Sequence, residues 1–187
     1  MATIDVGPGA TDRSAYQFGG YTFIDLANPA NDSGTLTSVE VWAYYTIASG
    51  MKVGTFSRSG DIFTPNDYDT IGEVVSGAKR TFTVSIAVAS GDYLGFWWDD
   101  ADHSGPEAID FDPSGGSGIY YKDGDYFSAG AQTYTEIVNR IFSIYATGET
   151  STTSIKTLNG TAIADLSKWN GITIGSYKTI NGISNVD

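Results

Sequence analysis

The sequence predicts an all-β protein, an antiparallel two-sheet sandwich of jelly-roll-like connectivity followed by a C-terminal tail of short β-repeats. Three observations carry this expectation. No window of about 11 to 18 residues places apolar side chains at i, i+3, i+4 and i+7 among good helix formers. Several stretches instead alternate apolar and polar residues with the two-residue period of a strand that has one face in a core. Clusters of Gly, Pro, Asn, Asp and Ser separate those stretches.

In chain order, the first β-rich run is Tyr21 to Leu26, closed by the turn cluster Asn28-Pro29-Ala30-Asn31-Asp32-Ser33-Gly34. Val39, Val41, Ala43 and Tyr45 then interleave with Ser38, Glu40, Trp42 and Tyr44, which predicts a strand with the first set on its core face. Met51 to Phe56 follows and ends at Ser57-Arg58-Ser59-Gly60-Asp61, after which Tyr68 to Val75 forms the next run. Phe82, Val84, Ile86 and Val88 alternate with Thr81, Thr83, Ser85 and Ala87 up to the turn Ser90-Gly91-Asp92. Asp92 to Trp98, Gly118 to Lys122 and Asn139 to Thr147 complete the set, with Asp112-Pro113-Ser114-Gly115-Gly116 as a further turn. About eight short strands with turns between them fit two antiparallel sheets packed face to face.

The chain has 187 residues, 41% of them hydrophobic, so it holds one ordinary domain plus an appendage rather than two full domains. Residues 1–149 are expected to fold independently, because most of the 12 Tyr, 9 Phe and 4 Trp lie there. Residues 150–154 turn small and polar and read as a linker. Lys and Arg number 10 against 22 Asp and Glu, a formal net charge of −12, which repels nucleic acid. No stretch approaches the ~18 unbroken apolar residues of a membrane helix, so neither nucleic acid nor membrane is an expected partner. Cysteine is absent and His103 is the only histidine, which leaves no thiolate or imidazole cluster for zinc. Met1-Ala2-Thr3-Ile4-Asp5 has neither a basic nor an apolar leader character, so the expectation is a product made in the cytoplasm without a signal peptide.

Residues 155–187 differ in kind. Asn-Gly pairs fall at 159–160, 170–171 and 181–182, 11 residues apart each time, and each follows a Lys-containing, partly apolar tetrapeptide. An 11-residue period is compatible with a right-handed helical supercoil, but Asn-Gly in every copy favours tight turns between short extended segments. Such units carry apolar side chains they cannot bury alone, and repeat arrays close their cores against neighbours. Leu158, Ile163, Leu166, Trp169, Ile174, Tyr177 and Ile180 are therefore the expected assembly interface, with a second copy of the chain or another subunit as partner.

A domain opening Ile4-Asp5-Val6-Gly7, passing through Asn28-Pro29-Ala30-Asn31 and Ser90-Gly91-Asp92-Tyr93-Leu94-Gly95, and ending in Lys-x-hydrophobic-Asn-Gly repeats resembles virion-associated proteins of tailed bacteriophages and prophages. The resemblance implies a particle component, such as a head decoration, head fibre or tail appendage, located in the virion. It brings no catalytic residues and no cofactor.

Chemistry outside that reading centres on Trp97-Trp98-Asp99-Asp100-Ala101-Asp102-His103, expected to leave a strand for a loop running on to Glu107, Asp110 and Asp112. Several carboxylates on one loop suit Ca²⁺, yet the spacing lacks the alternation and central Gly of an EF-hand, and a solvated acidic loop is the simpler account. Trp97 and Trp98 face opposite sides of their strand, so one is expected in the core while the other could offer a flat ring to a sugar. Trp97, Trp98, Asp99, Asp100 and Asp102 thus form the candidate ligand loop, and a carbohydrate-binding or adhesive module with a surface glycan as partner is the alternative reading.

Enzymatic chemistry is not expected. Asp99 and Glu107 could pair for glycoside hydrolysis, as any acidic protein's carboxylates could. No Gly-x-Ser-x-Gly elbow accompanies His103 and Ser104. Gly115-Gly116-Ser117-Gly118 leads into a strand and lacks the Lys of a phosphate loop.

Overall fold

The computed structural model describes residues 2–100 and 105–150, together with six two-residue strands in the tail. The chain divides into a compact unit, Ala2–Thr150, and a second unit covering 151–187 with Met1.

The first unit contains strands β1 (Thr3–Val6), β2 (Ala15–Phe18), β3 (Tyr21–Asp25), β4 (Gly34–Tyr45), β5 (Met51–Ser59), β6 (Ile62–Ile71) and β7 (Lys79–Val88). It continues with β8 (Tyr93–Trp97), β9 (Ala108–Asp112), β10 (Ile119–Asp123), β11 (Gln132–Thr133), β12 (Thr135–Ile137), β13 (Ile141–Phe142) and β14 (Ile144–Thr150). Among the described residues there is no helix. One seven-stranded antiparallel sheet runs β1-β14-β4-β9-β13, with β2 also on β9 and β7 also on β4; the other runs β11-β6-β5-β8-β3-β10-β12.

The two sheets share one core. Ile4, Val39, Val41, Ile86 and Ile144 of the first sheet join Phe23, Val53, Leu94 and Phe96 of the second in a single buried cluster. Phe142 is its centre, with its ring 5.1 Å from Phe23 and 4.9 Å from Phe96. A second cluster, containing Ile24, Phe56, Phe63, Tyr120, Phe127 and Tyr134, covers the opposite face of the second sheet. Adjacent residues Phe23 and Ile24 belong to different clusters, as the strand's alternation requires, so the strand is buried on both faces.

Glycine makes the second cluster possible. Gly54 of β5 and Gly95 of β8 lie directly opposite each other. A Cβ on Gly54 would come within 2.9 Å of the Phe127 ring, and one on Gly95 would overlap the ring of Phe56. The missing side chains leave the hollow that these rings occupy.

Several sequence expectations need correction. The run expected to begin at Tyr68 begins at Ile62, because the pairing shifts between Thr55 and Phe56 and this bulge accommodates Pro65 within the strand. It ends at Ile71 rather than Val75, and Val74 instead makes an isolated bridge to Ile47. Tyr45 is 42% exposed rather than inward, since the ladder between β4 and β9 shifts between Ala43 and Tyr45. The run Asn139 to Thr147 is two strands: at Ser143 the chain changes partner, its N–H donating to Asp110 O and its carbonyl accepting from Trp42 N–H. Strands β1, β2, β9, β11 and β12 were not among those expected. Thr150, assigned to the linker, is the buried last residue of β14, where its Oγ1 accepts the N–H of Ala2 at 3.1 Å. Positions 151–154 lie outside the described residues.

In the second unit, β15 (Thr157–Leu158) pairs with β16 (Thr161–Ala162), β17 (Lys168–Trp169) with β18 (Ile172–Thr173), and β19 (Thr179–Ile180) with β20 (Ile183–Ser184). In all three the innermost pair, Leu158↔Thr161, Trp169↔Ile172 and Ile180↔Ile183, brackets the two positions of an Asn-Gly.

Candidate functional site

The structure separates the residues of the expected ligand loop. Trp98 is fully buried, stacked on Phe96 at 6.2 Å and lying over Gly19, where any Cβ would overlap its indole. It is a core residue. Trp97 ends β8 opposite Lys52, whose ammonium sits 5.4 Å from the indole centre and 5.3 Å from the Tyr68 ring while ion-paired to Asp125. The cation already holds the ring face that a sugar would need.

The carboxylates disperse as well. Asp100 accepts the Gly105 N–H through both oxygens, at 3.1 and 3.2 Å, and so closes its own loop. Asp99 is exposed, and Asp102, His103 and Ser104 lie outside the described residues. Glu107 accepts the N–H groups of Ala48 (2.8 Å) and Ser49 (3.1 Å) and the Ser49 hydroxyl (2.7 Å), which fixes the turn after β4. Asp110 and Asp112 are in strand β9, not in a loop, and Asp110 is buried. Among the described residues no three His, Cys, Asp or Glu side chains group as metal ligands.

Sequence reasoning missed two buried carboxylates, Asp25 and Asp110. Asp25 is fully buried, and its two oxygens accept the N–H groups of Ala27 and Phe142, each at 2.8 Å. Because Asp25 ends β3 and Phe142 ends β13, this carboxylate ties one sheet to the other. Burial pushes its pKa up to about 6, against the lowering pull of those two amides and of Arg13. Asp110 accepts the Arg13 N–H at 3.1 Å, and its pKa is raised by burial above all, with the nearby Asp12 carboxylate adding to the shift. Phe142 and Arg13, whose N–H groups these carboxylates accept, lie 117 and 97 residues away in sequence, so no local motif announced them.

A shallow cleft of about 350 Å³ is lined by Ser57, Asn66, Ala87, Val88, Ala89 and Asp92. Its carboxylate is engaged internally, since Asp92 Oδ2 accepts from Asn66 Nδ2 and from the Ala89 N–H, each at 2.9 Å.

Three aromatic residues that face solvent gather elsewhere. Tyr16 on β2 and Tyr44 and Tyr45 at the end of β4 are 42–43% exposed. Their ring centres lie 4.8 Å apart for Tyr16 and Tyr44, 5.5 Å for Tyr16 and Tyr45, and 4.8 Å for Tyr44 and Tyr45. Phe18 supports the group edge-on, 5.2 Å from Tyr16. The sequence signal was present in Tyr44-Tyr45, but strict alternation assigned Tyr45 to the core.

Of the expected assembly residues, Leu158, Trp169 and Ile180 are the strand positions immediately before each Asn-Gly. Ile163, Leu166, Ile174 and Tyr177 lie outside the described residues.

Comparison with protein-family models, with curated proteins and with solved structures found no match to this chain.

Proposed function

We propose that this chain is a non-enzymatic structural component of a phage particle, a decoration, fibre or tail appendage that assembles through its C-terminal repeat. The observation that carries the reading is the recurrence of one hairpin register three times, each bracketing an Asn-Gly, with strand starts at 157, 168 and 179. Two-residue strands are too short to be stable in isolation, so an array of them gains its order from what it packs against. A second copy of the chain or another particle subunit supplies that surface in this reading. In this reading the domain is a jelly-roll-like sandwich, supported by two antiparallel sheets that contribute to one core.

The test is deletion of 151–187 alongside Trp169→Ala in the full chain, read by light scattering and by incorporation into particles. Loss of association or incorporation is the expected result. If the deletion changes neither, the assembly role of the tail is wrong.

A further inference from the structure

From the geometry of Tyr16, Tyr44 and Tyr45 we infer that this face of the domain is a binding platform for a neutral saccharide. The three side chains are among the few large hydrophobic residues left exposed in the described chain, and they meet at one place although they come from two strands distant in sequence.

The backbone is shaped to produce that meeting. In an undisturbed strand Tyr44 and Tyr45 would point to opposite faces, and one would be buried. The register shift between Ala43 and Tyr45 leaves both exposed, and irregularities of this kind re-aim side chains at the cost of ladder hydrogen bonds. A core in need of one more aromatic would not be served by it.

The chemistry of the platform selects the class of ligand. The three rings pack on one another at mutual tilts of 36°, 58° and 88° and stay 42–43% exposed, which leaves apolar ring surface open to the C–H groups of a pyranose. Among the described residues nothing hydrogen-bonds the three hydroxyls, which therefore remain free to exchange bonds with sugar hydroxyls. Among the described residues no ion pair or cation–π contact involves these rings, whereas Trp97 and Tyr68 are held by Lys52. A chain of net charge −12 also disfavours acidic glycans, so an uncharged saccharide is the ligand that fits. This inference concerns the domain alone and does not depend on the role of the tail.

The test titrates the full chain with maltohexaose, cellohexaose and chitohexaose, read by saturation-transfer NMR and calorimetry. At least one hexasaccharide is expected to bind with saturation transfer from tyrosine rings. Tyr16→Ala and Tyr44→Ala are each expected to weaken it at least tenfold, while Ile62→Ala, at an exposed position on β6, leaves it unchanged. Should an alanine variant fail to fold, Tyr44→Phe keeps the packing and is expected to lose at least threefold through its missing hydroxyl. No binding by any of the three sugars, or binding that survives substitution of Tyr44, overturns the proposal. A dimer of the full chain that dissociates on Tyr16→Ala also overturns it, by assigning the platform to a second copy.

Discussion

Asp67 Oδ2 accepts the backbone N–H of Ala87 at 2.7 Å, joining a strand of one sheet to the free edge of a strand in the other. Asp69 Oδ2 does the same for the Ser85 N–H at 3.3 Å, and Thr55 Oγ1 donates to the Ala87 carbonyl at 2.8 Å. Among the described residues strand β7 has a strand partner only in β4, so its other edge would otherwise offer unpaired groups to another chain. Carboxylates spaced two residues apart on β6 match the spacing of outward N–H groups on β7, and their charge discourages strand addition.

Asp67→Ala should therefore destabilise the domain by about 0.5–1.5 kcal/mol, since it removes a hydrogen bond whose N–H is exposed and regains water. Asp67→Ala/Asp69→Ala should in addition increase aggregation on partial heating. Denaturant melts and light scattering check both; a double variant as stable and as soluble as the parent would remove the edge-closing role.

The pH dependence of stability follows from Asp25. Its folded pKa of about 6 lies above the ordinary 3.8, so the native state holds a proton that the unfolded state releases between those values. The contribution to stability is then fully present below 3.8 and is lost as pH rises to about 6. The parent should gain up to about 3 kcal/mol from this group between pH 7 and 4, an increment absent from Asp25→Asn. Melts of both proteins across that range, compared with each other so that other carboxylates cancel, measure it; identical slopes would refute it.

Gly95→Ala should destabilise by at least about 2 kcal/mol, because the added methyl overlaps the Phe56 ring in a hollow closed by backbone. Gly60→Ala gives a contrast: there a Cβ meets nothing, and only the positive φ of 64° is unfavourable, at about 1 kcal/mol. Equilibrium unfolding of the two variants should rank them in that order.

Removing divalent cations should leave the melting temperature unchanged. Asp100 is spent on Gly105 and Glu107 on the turn at Ser49, while Asp110 sits in a strand, so the carboxylates that looked like a ligand set in sequence are not assembled into one. Calorimetry with EDTA and with millimolar calcium checks this, and a calcium-dependent rise of several degrees would contradict it.

The sequence by itself determined the all-β character, the long alternating strands through Val39–Ala43 and Val84–Val88, and the spacing of the tail units around Asn-Gly. These are local properties, since alternation and turn chemistry act between residues a few positions apart. Tertiary structure alone decided which carboxylates are buried, which Trp is core, and that Tyr45 faces outward. Asp25 meets Phe142, and Asp67 meets Ala87, across segments with no shared pattern. A shift of one residue in a ladder reverses the face of every side chain beyond it, and what produces the shift at Tyr45 is the pairing with Ala108, which no window around Tyr45 contains.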